Sequence, residues 1–321
     1  MLVGFVVSAT FAYFAVRGVR WAETWQALED SQYVWLVPAL ALLVLAFLIR
    51  VVRWRSLFPA SDRPAFGPAA RALFAGYLGN NVLPLRAGEA VRIVALNRLS
   101  PVPMTTAAMT ILVERAYDVL SLVILLFVIA PWLPHISWLR TAGILGIGLI
   151  LAMFLAWLVV RSEGRALDLI VKPLRKLRFL PREALERAPR DLMAGLGGLL
   201  KVRMALVGFG WTTLSWLVLG VGYWLVMKAF DLGTPMLSGV LVVIAIGLAM
   251  ILPSSPAALG VFEGATVVVL GVYNVADSDA LAYALVLHVL SFAPFLVLAP
   301  LVLGGSAMRR WRAAPDRLVH P

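Results

Sequence analysis

The residues of greatest chemical promise are charges set inside apolar sequence. Glu114, Arg115 and Asp118 fall within one apolar stretch, 105–130. On a helix, Glu114 and Asp118 are one turn apart and Arg115 and Asp118 are i,i+3 neighbours, so the three cluster. Charges at bilayer depth are expensive and face the bundle interior or a watery cavity, which marks the trio as an interior polar site. A second set lies in GYLGNNVLPLRAGEAVR, residues 76–92: Asn80 and Asn81 at a break, then Arg86, Glu89 and Arg92 at i, i+3 and i+6. A helix restarting after Pro84 carries those three on one side. Its N-terminus offers free N–H groups and a positive dipole end, and Arg86 can grip a phosphate with two donors. The competing reading is structural. In it Arg86, Glu89 and Arg92 pair with one another and anchor the segment at the membrane interface, and Glu114, Arg115 and Asp118 form an ion network that reaches the segment through Arg86 or Glu89.

ILPSSPAALGVFEGATV, residues 251–267, repeats the plan with fewer charges. Ser254 and Ser255 can cap backbone freed at the break. Glu263 opens the next helical piece, where the dipole favours its anionic form. It can hold a cation, take a proton or only cap the helix. His288, in LVLHVLSFAPF, is either an interior hydrogen-bonder or a proton relay titrating near neutral pH, and Pro294 is expected to kink that span. The run RVVRWRSLF, Arg50 to Phe58, reads as an interface anchor with Trp at headgroup level and Arg toward phosphate.

Other chemistries find little support. The chain has no cysteine, hence no disulfide or thiolate site. No His/Asp cluster has metal-ligand spacing, so no metal or other cofactor is expected. There is no GxSxG elbow for a hydrolase and no Walker-type nucleotide motif.

These groups need elements that can hold them inside a membrane. The chain is 62% hydrophobic and only 14% charged, with mean hydropathy +0.92; soluble domains carry about 25% charged residues. The fold class is therefore an all-α integral membrane protein. Full spans need about 20 apolar residues and are expected at 1–17, 34–51, 105–130, 138–160, 205–229 and 281–304, six in all. The opening segment lacks a signal-peptide pattern and reads as a retained span.

Of the 28 Lys and Arg, 23 fall in 50–71, 86–98, 161–203 and 309–317. The net charge of +11 is thus a topology signal and an attraction to anionic lipid, not a nucleic-acid surface. By the positive-inside rule these stretches are cytoplasmic, both termini are inside, and 18–33, 131–137, 230–236 and 274–280 are external. Residues 161–203 read as a basic amphipathic cytoplasmic loop, with Glu183–Arg187 and Glu186–Arg190 as i,i+4 pairs. Residues 305–321 form a basic cytoplasmic tail, and residues 1–321 make a single polytopic domain.

Segments 66–99 and 237–273 do not fit as simple spans. Each holds two short helical pieces around a Pro/Gly break and returns to the side it left. Irregular backbone at membrane depth survives only where protein or a watery cavity covers it. Two re-entrant hairpins, one from each side, are expected, with two pairs of tilted full spans as the alternative. The first unit would be span 34–51, a hairpin and span 105–130. The second would be span 205–229, a hairpin and span 281–304, inverted relative to the first. Matched breaks in two inverted halves point to a transporter-like site between them.

The motifs R-x-x-R-W-x-x-L-F, GYLGNNVLPLRAGEAVR, VERAYD and LPSSPAALGVFEGA…LHVLSF occur in that order along the chain. The set resembles the lysylphosphatidylglycerol synthase transmembrane-region, or flippase-like, family over almost the whole length. The resemblance implies a lipid flippase or flippase-like transporter in a bacterial-type inner membrane. Its cargo would be a phospholipid, aminoacylated or not, or a polyprenyl-linked lipid with a phosphate headgroup. Because the chain ends after its last span, an attached aminoacyltransferase domain and synthase activity are not expected. The resemblance also leaves open a non-transporting, lipid-binding or scaffold partner of a membrane glycosyltransferase or lipid-modifying enzyme, and a homo-oligomer. On the transport reading Arg86 and Arg115 take the phosphate, while Glu89, Glu114, Asp118 and Glu263 balance charge or hold an amine. Asn80, Asn81, Ser254 and Ser255 line the cavity.

Overall fold

A computed structural model describes residues 2–83, 87–134, 143–144, 146–148, 151, 202–251 and 255–304. The expectations for Arg86, Ser254, the tail, nearly all of the loop 161–203 and most of the span 138–160 lie outside the described residues. The described residues form eleven α-helices and no strand. In chain order these are α1 (Leu2–Val16), α2 (Trp21–Glu29), α3 (Leu36–Ser56), α4 (Phe66–Val82), α5 (Gly88–Leu99), α6 (Met104–Ile129), α7 (Val202–Ala229), α8 (Met236–Ala249), α9 (Val261–Gly271), α10 (Asp277–Val297) and α11 (Ala299–Leu303). Among these residues, Tyr33–Ser56, Arg203–Ala229 and Asp277–Leu303 are long and apolar enough to cross a membrane. α6 is of comparable length at 26 residues, but it carries the Glu114, Arg115 and Asp118 charges. An all-α membrane protein is what such a chain must form, since helices satisfy their own backbone polar groups where no water is available.

Two of the long helices, α3 and α7, run in opposite directions. Gly208 of α7 lies beside Leu57 at the end of α3, and Gly222 lies beside Leu42 and Leu43. The Gln32 N–H before α3 donates to the Ala229 carbonyl at the end of α7 (2.7 Å). α3 and α7 are thus antiparallel. The base-poor loops gather at one end: the Arg20 N–H donates to Ser278 Oγ (3.1 Å) and Thr24 Oγ1 donates to the Ser278 carbonyl (3.3 Å). At the opposite end Phe58, Ala69, Val102 and Ala107 share a core cluster against which Leu303 packs. Because α3 and α7 finish at opposite ends, the helix pairs that follow them, α4–α5 and α8–α9, start from opposite ends too.

Both pairs break where proline and glycine stand in the sequence. The second members are short: α5 has 12 residues and α9 has 11, about 18 and 16 Å long at 1.5 Å per residue. Glycine is structurally required at both restarts. A Cβ on Gly88 would lie 2.0 Å from the Gly76 carbonyl and 2.5 Å from the Asn80 nitrogen, so no side chain allows α5 to lie this close to α4. Gly260 sits at φ +84°, and a Cβ there would lie 2.3 Å from the Ser8 carbonyl of α1. The last long helix runs through Pro294 and ends at Val297, with α11 starting two residues later. The expected kink position is thus not a helix boundary.

Candidate functional site

α6 carries the trio into the centre of the bundle, where Glu114 is fully buried. Three arginines from three helices converge on its carboxylate. Arg92 of α5 is bidentate, Nη1 to Oε1 at 3.0 Å and Nη2 to Oε2 at 2.7 Å. Arg53 of α3 reaches Oε1 at 2.7 Å and also Asp118 at 2.5 Å. Arg115 shares its Nη2 between Glu114 (2.8 Å) and Asp118 (3.1 Å), and its Nε lies 3.7 Å from Glu89. A carboxylate with this many charge-assisted partners is fixed in position. Removing one partner of a buried pair costs about 3–5 kcal/mol, because it strands the other charge. α3, α5 and α6 are joined by one ion network, in which Arg92 and Arg53, and not Glu89, make the ties to Glu114.

Arg53 and Trp54 correct the reading of RVVRWRSLF as an interface anchor. Arg53 is 1% and Trp54 0% exposed. The Trp54 indole donates to Thr110 Oγ1 (3.0 Å), and the Arg92 guanidinium lies 3.6 Å from its ring centroid. The signal was present in the spacing. Arg50 and Arg53 are i,i+3 on one helix face, and two carboxylates on α6 exceed what Arg115 alone can neutralise.

Beside the network lies a cavity of about 480 Å³. Its polar wall holds Arg50, Arg53, Glu89, Arg92, Arg115 and Asp118, with Tyr77, Asn80 and Asn81 from α4. Its apolar wall includes Leu40, Phe74, Trp216, Phe292 and Phe295. Phe295 makes edge-on contact with Tyr77, ring centroids 5.2 Å apart. Asn81 donates from Nδ2 to the Phe292 carbonyl (3.2 Å), joining the tip of the first helix pair to α10. Asn80 Oδ1 is buried without a hydrogen-bond partner. Asn80, Asn81, Glu89, Arg92, Arg115 and Asp118 are thus brought together on one cavity, with Glu114 behind them.

Ser255 also lines the cavity, with Ala257 and Ala258 from the second break. Both alanines have φ of +56°, left-handed backbone that costs of order 1 kcal/mol or more for a non-glycine residue. Ser255 does not cap α9. Its Oγ donates to the Leu259 carbonyl (3.1 Å), and its own N–H donates to Ser8 Oγ of α1 (2.9 Å).

Glu263 and His288 stand apart from this cavity. The Gly260 N–H donates to Glu263 Oε2 (2.8 Å), so the carboxylate does hold the start of α9. Its other oxygen accepts from His288 Nδ1. The His288 ring is flanked by Phe262 and Phe292, centroids 4.6 and 4.4 Å away, and those two rings form part of the cavity lining. The expectation that Glu263 faces a headgroup does not match its position behind the aromatic wall. Among the described residues no group of three or more His, Asp and Glu is placed to share a metal ion.

The comparisons agree with this architecture. Residues 1–299 match the family model described as "Lysylphosphatidylglycerol synthase TM region". A "UPF0104 membrane protein" of Methanothermobacter thermautotrophicus is 27% identical over 272 residues, 80% of each chain. "UPF0104 membrane protein MJ1078" of Methanocaldococcus jannaschii is 24% identical over 66% of this chain and 87% of its own. "Glycosyltransferase AglD" of Haloferax volcanii is 26% identical over 86% of this chain, which spans only 49% of that protein. A match running from the first helix through the last long one assigns the chain to the lysylphosphatidylglycerol synthase transmembrane-region family.

Proposed function

We propose that this protein is a flippase-like transporter that admits the headgroup of a phosphate-bearing lipid into the cavity beside the ion network while the tails remain in the bilayer. The observation that carries this is the two-sided cavity of about 480 Å³, with guanidinium and carboxylate groups on one wall and aromatic and aliphatic residues on the other. An amphiphile is the ligand class that uses both walls. On this reading α4–α5 and α8–α9 are re-entrant hairpins. Their 12- and 11-residue second helices are far short of the roughly 30 Å hydrocarbon core. Their starts from opposite ends make the halves inverted, and the cavity lies between them as in other inverted-repeat transporters. The base-poor end faces outward from a bacterial-type inner membrane, and the termini are cytoplasmic. No catalytic role is assigned to the network, whose charges balance one another.

The Haloferax relative, named as a glycosyltransferase, favours a second reading: a lipid-holding partner of such an enzyme, without transport. Dithionite quenching of fluorescent lipids in proteoliposomes separates the two. The panel is phosphatidylglycerol, lysyl-phosphatidylglycerol and a polyprenyl phosphate. Protein-dependent loss of inner-leaflet fluorescence supports transport. No loss with any of the three, in vesicles holding folded protein, favours the holding role.

A further inference from the structure

Of the two arginines expected to hold a phosphate, Arg86 lies outside the described residues and Arg115 is committed to Glu114, Asp118 and Glu89. Arg53 and Arg92 are likewise committed to carboxylates. Arg50 differs. It lines the same cavity, one helical turn before Arg53, and it forms no ion pair among the described residues. Its Nη1 donates to the Tyr77 hydroxyl (3.2 Å), and its guanidinium lies over the Trp216 ring, 4.6 Å from the centroid. Its Nη2 is buried with no hydrogen-bond partner.

Among the described residues, four guanidinium groups thus stand against three carboxylates, Glu89, Glu114 and Asp118, and the unbalanced positive charge falls on Arg50. A guanidinium drawn out of water with a free donor is stabilised by an anion that accepts from it, and a phosphate ester fits that fork. Nη1 is taken by Tyr77 and the guanidinium lies over Trp216, so Nη2 is the donor left for a ligand.

We propose that Arg50 is the anion anchor of the cavity, and that the ligand it selects carries a phosphate oxyanion: a monoester or diester lipid headgroup, or free phosphate. The inference deepens the transport reading and rests on the same cavity. The remaining arginines build the wall; Arg50 reads the ligand.

The test is native mass spectrometry of the purified full chain with four probes: phosphatidylglycerol, undecaprenyl phosphate, inorganic phosphate and diacylglycerol. Arg50→Gln is expected to weaken both phospholipids about tenfold or more and to leave diacylglycerol unchanged. Arg50→Lys, which keeps the charge but loses the fork, retains intermediate binding. Competition by inorganic phosphate at millimolar concentration assigns the recognition to the phosphate alone; its absence assigns it to phosphate plus tails.

The wild-type chain supplies a readout that needs no variant to fold. Phenylglyoxal modification of Arg50, mapped by peptide mass, falls when phosphatidylglycerol is added and does not fall with diacylglycerol. Equal phospholipid binding by folded Arg50→Gln, or labelling of Arg50 indifferent to phospholipid, overturns the proposal. If binding depends on Arg50 but no lipid crosses the bilayer, the transport reading fails and the anchor stands. If lipid crosses equally well in wild type and Arg50→Gln, the anchor fails and transport stands.

Discussion

The two helix breaks share a pattern in sequence, proline then glycine then glutamate, and use it differently. In the first, Glu89 is part-exposed on the cavity wall, 3.7 Å from Arg115, and Gly88 serves the close crossing of α4 and α5. In the second, Glu263 is buried and holds Gly260 and His288, while Gly260 serves the crossing with α1. The first break delivers charge to a cavity; the second builds a wall for it. A repeated motif therefore shows where a chain must turn within the bundle. The role of the acid depends on which neighbours supply cations, and α3, α5 and α6 supply them only to the first.

Breaking the network should have the largest effect. Glu114→Gln removes the one carboxylate that contacts Arg53, Arg92 and Arg115. A loss of about 3–5 kcal/mol is expected, seen as loss of the monodisperse folded peak in detergent. Gly88→Val comes next, since its side chain must enter space held by the Gly76 carbonyl. Overpacking of this kind costs about 1–3 kcal/mol or more, read as a lowered thermal midpoint.

Glu263→Gln gives up a charge-assisted bond to His288 but keeps the cavity. A stability loss of about 1–3 kcal/mol with phosphatidylglycerol binding unchanged is expected. Altered lipid binding at full stability would make the two breaks equivalent and dissolve the comparison. Glu89→Gln should do least to the fold, within about 1 kcal/mol for a part-exposed pair. It should raise phosphatidylglycerol affinity about two- to tenfold by leaving more positive charge on the cavity wall, measurable by lipid titration in native mass spectrometry.

Much of this fold is written in apolar length. The helices over 36–56, 104–129, 202–229 and 277–297 lie where runs of Leu, Val and Ala allow no other backbone pairing, and the breaks lie where Pro and Gly forbid continuation. The trio on α6 was legible because three charges in such a run admit only an interior location. Arg53 was legible only indirectly, through the excess of α6 carboxylates over Arg115, because a basic residue near the end of a span looks the same whether it faces headgroups or a carboxylate on another helix. The position of Glu263 depends on His288, 25 residues along the chain, and on aromatic rings that screen the pair from the cavity. No local pattern encodes that arrangement.

The central claim is that the cavity beside the network holds phosphate-bearing lipid. The chain has no cysteine, so single cysteines can be placed freely. Val119 lines the cavity, whereas Leu285 is exposed on α10 and lies outside the cavity lining. A benzophenone probe at each position, in vesicles of phosphatidylcholine, phosphatidylglycerol and diacylglycerol, captures the lipid in contact on illumination. The account predicts that Val119→Cys yields adducts enriched in the phospholipids and depleted in diacylglycerol, while Leu285→Cys returns the bulk mixture. The bulk mixture at both positions would contradict it.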